Sequence, residues 1–181
     1  MKTLIINGHP NPQSLCAELA AKAAEKAKSK GDKVEILHLR NLKFDPNLNV
    51  GFKGEQQLES DLQDAQKKIL WAEHLIWVYP NWWGSMPALQ KGFIDRTFLP
   101  DFAFKYVKGA MMPKKLLVGK TAEIIITMDT PPFIYQWLLG APGLKIMKKG
   151  ILEFCGIKVV KTKMIGPVRG AKKEQVENWI K

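Results

Sequence analysis

Three short segments concentrate the residue types that bind and orient small molecules. Gly8-His9-Pro10-Asn11-Pro12-Gln13-Ser14-Leu15-Cys16 joins an apolar run to an Ala/Lys/Glu-rich stretch. A helix starting there offers unpaired N–H groups and the positive end of its dipole, which suit a phosphate. Ser14, His9 and Asn11 can add side-chain donors, although a capped turn with His9 filling a polar gap uses the same residues. Tyr79-Pro80-Asn81-Trp82-Trp83-Gly84-Ser85-Met86-Pro87 sets two adjacent tryptophans after a second apolar run. Consecutive side chains of an extended chain point apart, so a core seldom takes both. Aromatic walls beside the backbone donors of residues 81–85 suit a planar, apolar ring system. Burial against a helix or a second subunit would also account for them. Thr127-Met128-Asp129-Thr130-Pro131-Pro132-Phe133-Ile134-Tyr135-Gln136-Trp137 mixes hydroxyls and aromatics around a stiff Pro-Pro. Thr127 and Thr130 can hold one edge of a ring while Tyr135 reaches a substrate, or the segment is a rigid surface turn.

Several other chemistries are excluded. The chain has no GxGxxG, no GxxxxGK[ST], and no GxSxG or HExxH, so dinucleotide-fingerprint, P-loop, hydrolase and zincin readings lack their motifs. His9, His38 and His74 have no ligand spacing, and the last two read as strand-associated structural residues. Cys16, near a helix start, is expected to be a small buried residue rather than a reactive thiol. It and Cys155 form no CxxC, which fits a reducing compartment. With 46% hydrophobic and 25% charged residues the chain is of globular type. No apolar run approaches the roughly 18 residues of a membrane span, and the first residues resemble no leader peptide. A cytoplasmic protein without a membrane span is expected. The net charge of +11 is uneven: residues 105–181 hold 15 lysines and arginines against 5 acids. These lysines stand singly or in pairs without interleaved aromatics, so a solvated basic face is expected and no nucleic-acid partner.

These loops need elements to position them. Strands are expected over residues 3–7, 33–39, 74–79, 122–128 and 157–165. Helices are expected over 14–30, 55–71, 87–98, 144–155 and 172–181, with a loop over 42–52. Ser14 is a plausible N-cap, Gly31 a stop, and Pro87 fits a first helical turn. Without repeats or a linker, residues 1–181 read as one domain. Alternating strands and helices imply an α/β, doubly wound, five-stranded parallel sheet with helices on both faces. Ligands of such sheets sit beyond the carboxyl ends of the strands, where the strand order reverses.

Residues 79–98, YPNWWGSMPALQKGFIDRTF, with Pro87, Lys91, Gly92, Phe93, Asp95 and Arg96, resemble the signature of the NAD(P)H:quinone oxidoreductase family. INGHPNPQS at the start and ILEFCG at residues 151–156 resemble further parts of it, so the likeness spans almost the whole chain. The resemblance implies a flavodoxin-like fold, a tightly held flavin and a homodimer with the site across its interface. It also implies two-electron, ping-pong hydride transfer from NADPH or NADH to a quinone or similar electron-poor molecule. By position, the flavin contacts would be His9, Ser14, Leu15 and Cys16 on the phosphate side. Pro80, Asn81, Trp82 and Trp83, then Thr127, Met128, Asp129 and Thr130, would lie along the ring. Tyr135 would be the catalytic residue.

The chain departs from the family at two places. Thr127-Met128-Asp129-Thr130 stands where well-studied members have Thr-Thr-Gly-Gly, and Ala141 stands at the position of the His that partners their Tyr. A Tyr–His relay is therefore not expected. The chain also lacks the extension that helps larger members hold an adenine, which favours FMN over FAD. The alternative implied role is that of a flavin-binding ancillary subunit of a membrane potassium-efflux system. A flavodoxin-type one-electron carrier fits less well, because those proteins are usually acidic and carry a Thr/Ser-rich first loop.

Overall fold

The computed structural model describes residues 1–51, 54 and 56–180. The chain opens with β1 (Lys2–Asn7), whose last five residues are all buried, as a strand covered on both faces requires. Ser14 then caps α1 (Leu15–Ser29): its backbone is extended and its Oγ accepts from Ala17 N at 3.3 Å. Gly31, at φ +83°, follows the helix and turns the chain into β2 (Lys33–His38). A 3-10 turn (Leu39–Asn41) precedes a long loop and α2 (Ser60–Trp71). β3 (His74–Pro80) is buried at all seven positions, and α3 (Ala88–Thr97) follows. A small antiparallel hairpin pairs β4 (Phe104–Lys105) with β5 (Lys114–Lys115) before β6 (Thr121–Thr127). Beyond a π-helical turn (Ile134–Leu138) come α4 (Pro142–Lys145), a second π-helical stretch (Ile146–Leu152) and α5 (Glu153–Cys155). β7 (Lys158–Ile165) and α6 (Lys173–Ile180) close the fold.

The five long strands form one parallel sheet in the order β2-β1-β3-β6-β7. Period-two alternation divides their side chains between two cores. Leu4, Ile6, Leu75, Trp77 and Tyr79 join the larger core with residues of α2, α3 and the 142–155 segment. Ile5, Ile76, Val78 and Ile165 join a smaller one under α1, against which Trp179 and Ile180 of α6 pack. The expected α/β architecture is therefore present, with helices on both faces. The order reverses between β1 and β3, so the loops after those strands flank the reversal.

The Lys91–Arg96 motif docks α3. Gly92 lies so close to the loop below that a Cβ would sit 2.4 Å from Pro46 Cβ and 2.7 Å from Pro46 O. One turn later the fully buried Arg96 grips Glu59 with both terminal nitrogens (3.2 and 2.9 Å) and donates to Asp45 O and Gln57 O at 2.7 and 3.0 Å. Such a fork leaves no buried guanidinium N–H of the two terminal groups without an acceptor direction. Lys91 and Asp95 pair on the exposed side at 2.8 Å.

Some expected boundaries are corrected. The helix expected from residue 55 begins at Ser60, because Glu59 is held extended while its carboxylate receives Arg96 and Asp45 N. Glu55, like Phe52 in the expected loop and Lys181 in the last helix, lies outside the described residues. Pro87 occupies the N-cap position rather than the first turn. The helix expected at 144–155 starts earlier, at Pro142, where the ring presets a helical φ.

Candidate functional site

Beyond the carboxyl ends of β1, β3 and β6 lies a cleft of about 300 Å³. The β1–α1 loop forms one side and is organised by its own side chains. Asn7 Oδ1 accepts from His9 N at 3.0 Å, His9 Nδ1 from Asn11 N at 3.0 Å, and Asn11 Oδ1 from Gln13 N at 2.8 Å. Each polar side chain thus takes the amide two residues on, which fixes the loop before any ligand arrives. With Ser14 capping, the Leu15 and Cys16 amides at the head of α1 have no acceptor among the described residues. His9 is held below its ordinary imidazole value by burial and by Arg40, against the Asn11 contact that raises it. With Nδ1 accepting, the neutral ring carries its proton on Nε2.

The β3–α3 loop forms the aromatic wall. Trp82 N donates to Ser85 O (2.8 Å) and Ser85 N to Trp82 O (3.0 Å) around Trp83 and Gly84, at φ +53° and +76°. Two left-handed central residues define a type I′ turn, a conformation that a tryptophan adopts only at a cost in strain. Trp82 meets His9 edge-on with ring centroids 5.6 Å apart, while Trp83 stands fully exposed.

Neighbouring backbone holds this strained turn. Gly84 O accepts from Gly143 N at 2.8 Å and from the Tyr135 hydroxyl at 3.2 Å, and the same hydroxyl accepts from Leu144 N at 3.2 Å. A Cβ on Gly143 would lie 2.4 Å from Gly84 O, so only glycine permits the approach. Tyr135 is completely buried, and burial pushes its phenol above the ordinary value.

The β6 end supplies the floor. Thr127 O accepts from Asn81 N at 2.7 Å, and Thr127 Oγ1 lies 3.2 Å from Cys16 Sγ. Met128 is bonded to Ile165 O and Val168 N, and Asp129 Oδ1 accepts from Arg169 N at 2.9 Å. The Thr127–Asp129 edge is therefore braced by the loop after β7. Gly166 closes against Met128 O, 2.4 Å from where a Cβ would stand.

Of the expected contacts, His9, Ser14, Leu15, Cys16, Pro80, Asn81, Trp82, Thr127, Met128 and Asp129 line the cleft. Trp83 and Thr130 lie beside it on the same loops. Asn11, already noted as a donor, lines it as well, and Val168 was not anticipated because it arrives from a distant loop. Tyr135, expected as the catalytic residue, does not line this cleft; its hydroxyl donates to Gly84 O and accepts from Leu144 N. Cys16 is buried and its thiol pushed up to about 11 by burial, against the Thr127 contact, which agrees with an unreactive role. His38 and His74 bond Asn7 and Thr121, as strand-associated residues do.

Residues of this kind fit a flavin mononucleotide: a preformed anion seat of open amides and the Ser14 cap lies opposite an aromatic turn, over a floor of backbone. A family model described as "Flavodoxin-like fold" matches residues 1–180. The ribosyldihydronicotinamide dehydrogenase [quinone] of Pongo abelii is 30% identical over 184 residues, covering 88% of this chain and 78% of that protein. The chain spans 57% of the length of another curated relative, a ribosyldihydronicotinamide dehydrogenase-like protein of Penicillium crustosum, at 30% identity. The crystal structure of Smu.1420 from Streptococcus mutans UA159 shares 32% identity at a TM-score of 0.77, covering 99% of this chain and 95% of that one. An FMN-dependent NADH-azoreductase from Bacillus anthracis, solved with FMN, shares the fold at 18% identity and a TM-score of 0.70, over 99% and 94% of the two chains. The chain belongs to the flavodoxin-like family that includes the NAD(P)H quinone oxidoreductases.

Proposed function

We propose that the protein is an FMN-dependent NAD(P)H oxidoreductase that reduces quinones or similar electron-poor small molecules. The observation that carries this reading is the anion seat at the head of α1 facing the Trp82–Ser85 turn across the strand-order reversal. An FMN held there would supply two-electron hydride chemistry between a nicotinamide and the acceptor. The residues would bind and orient it. The Leu15 and Cys16 amides, Ser14 and the Nε2–H of neutral His9 would hold the phosphate. Pro80, Asn81 and Trp82, with Trp83 and Thr130 at the margins, would wall the ring, and Thr127 to Asp129 would support its edge. Tyr135 is a positioning residue that keeps the strained turn in place, so the accompanying proton comes from solvent in the open cleft. Ala141, buried and left-handed at φ +48°, has no proton to give.

A homodimer completes the reading. Phe133, Trp137, Leu138 and Leu139 are exposed on the segment that Tyr135 and Gly143 join to the tryptophan turn, beside exposed Trp83. An apolar surface of that kind supports this reading, and a second copy covering it would wall the open side of the cleft. No helix among the described residues is long and apolar enough to cross a membrane. The basic half of the chain favours the extra phosphate of NADPH over NADH. The relatives are named as dehydrogenases, which supports catalysis over an ancillary role in potassium efflux. Initial rates with NADPH and a quinone varied together test the alternation. Parallel reciprocal plots are expected, and lines converging left of the axis would refute a shared pocket used in turn.

A further inference from the structure

At the other end of the sheet from the cleft, α1 and α6 leave between them a groove of about 310 Å³ over the starting residues of the strands. The strand positions facing α1 explain it. Ile5, Val78 and Ile165 fill the small core nearer the cleft. Continuing back along the same faces, β6 presents Glu123 and β7 presents Lys163 and Lys161. A sealed layer would carry apolar side chains there. α6, which covers this end, has no fully buried residue.

The groove has an apolar floor and a cationic rim. Leu19 and Ala23 of α1, Ile76, Ile125, Trp179 and Ile180 make the floor. Lys22, Lys26 and Lys30 follow at one-turn spacing along the inner edge of α1, and Lys161 and Lys163 face them from β7. The two carboxylates in the lining are engaged. Asp32 accepts from Thr3 Oγ1 at 2.8 Å, and Glu123 lies 3.7 Å from Lys161 and 3.9 Å from His74. The ammonium groups of Lys26 and Lys30 have no ion-pair partner among the described residues. Lys163 donates to Trp179 O at 2.8 Å and is held below its ordinary value by burial, then by Lys161 and Lys26. Lys26 and Lys163 therefore line one groove from α1 and from β7, near enough for the charge of Lys26 to act on Lys163, a charge arrangement that an anion would relieve.

We propose that this groove is a second binding site, for an amphiphilic carboxylate, with the alkyl chain on Leu19, Ala23, Ile76, Ile125 and Trp179 and the head group between Lys26 and Lys163. From Lys26 back to Leu19 the helix spans about 10 Å, which matches an extended chain of roughly nine carbons. The volume lies at the small end of the range for ligand cavities. The site shares no residue with the cleft, so it stands whether or not the flavin reading does.

The test uses the full chain saturated with FMN and a dansyl-labelled undecanoate as fluorescent probe, with decanoate and decanol as competitors and anionic phospholipid vesicles as a separate arm. Saturable one-to-one probe binding is expected, displaced by decanoate at least tenfold more effectively than by decanol. Lys26→Glu, an exposed substitution, and Ala23→Trp, which fills the floor, should each weaken probe binding at least tenfold. Equal displacement by decanol, or unchanged binding by Lys26→Glu with its fold intact by thermal melting, would overturn the proposal. Binding only to vesicles, or loss of probe binding on FMN saturation, would also overturn it by placing the affinity at a membrane surface or in the cleft.

Discussion

Replacing Tyr135 by Phe separates positioning from proton transfer. The substitution keeps the ring that fills a fully buried site and removes only the hydroxyl between Gly84 O and Leu144 N. Gly84 O keeps its bond from Gly143 N, but Leu144 N–H is left without an acceptor in a partly buried place. An unsatisfied buried donor costs about 1–3 kcal/mol. For a domain of this size, about 2 kcal/mol lowers the melting temperature by ~4–8 °C. The turn carrying Trp83 at φ +53° also loses one of its two external restraints, so FMN should dissociate several-fold faster. Turnover at saturating FMN should fall only modestly, and its pH profile should keep its shape. The assay pairs thermal melts of the apo and FMN-loaded variant with quinone reduction between pH 5 and 9. A variant that melts like the parent but loses turnover a hundredfold, together with one limb of the profile, would refute the reasoning and restore Tyr135 as proton donor.

Three further outcomes are expected. Burial pushes the Cys16 and Cys155 thiols up to about 11 and about 12, so neither should react with Ellman's reagent at pH 8 in the folded protein, and both should react in urea. Burial holds His9, His38 and His74 below the ordinary imidazole value. The unfolded chain therefore binds more protons than the native one just below about pH 6.5. Apo-protein stability should be complete above that pH and fall as pH drops through it, well before Asp32, Asp45 and Glu59 titrate. A melting temperature unchanged from pH 7.5 to 5.5 would contradict this. Gly92→Ala drives a Cβ into Pro46 and should cost about 1–3 kcal/mol of unfolding free energy, read as an earlier urea midpoint with the ping-pong kinetics retained.

The sheet was legible because its strands are short apolar runs between strong punctuation. Ser14 and Gly31 mark the ends of α1 by the same chemistry they use in the structure. The cleft loops were legible for a different reason: two adjacent tryptophans at the end of a buried strand have no ordinary place in a core. What stayed hidden depends on distant partners. Nothing near Tyr135 announces that its hydroxyl meets Gly84, 51 residues away, or that residues 134–138 wind into a π-helical turn that buries it. Arg96 stood out as part of a motif, yet its grip on Glu59 and on Asp45 O spans 37 and 51 residues. The β4–β5 hairpin has two residues per strand, too few to show alternation. The left-handed Trp83 could not be read either, since tryptophan is among the last residues expected there.

The central claim is tested most directly by the visible absorption of the protein after loading with FMN and removal of free flavin by gel filtration, followed by NADPH without oxygen and then a quinone. Retained flavin bands that bleach with NADPH and return with the quinone are predicted. A colourless protein after gel filtration, or bands that NADPH leaves unchanged while NADH does the same, would contradict the account.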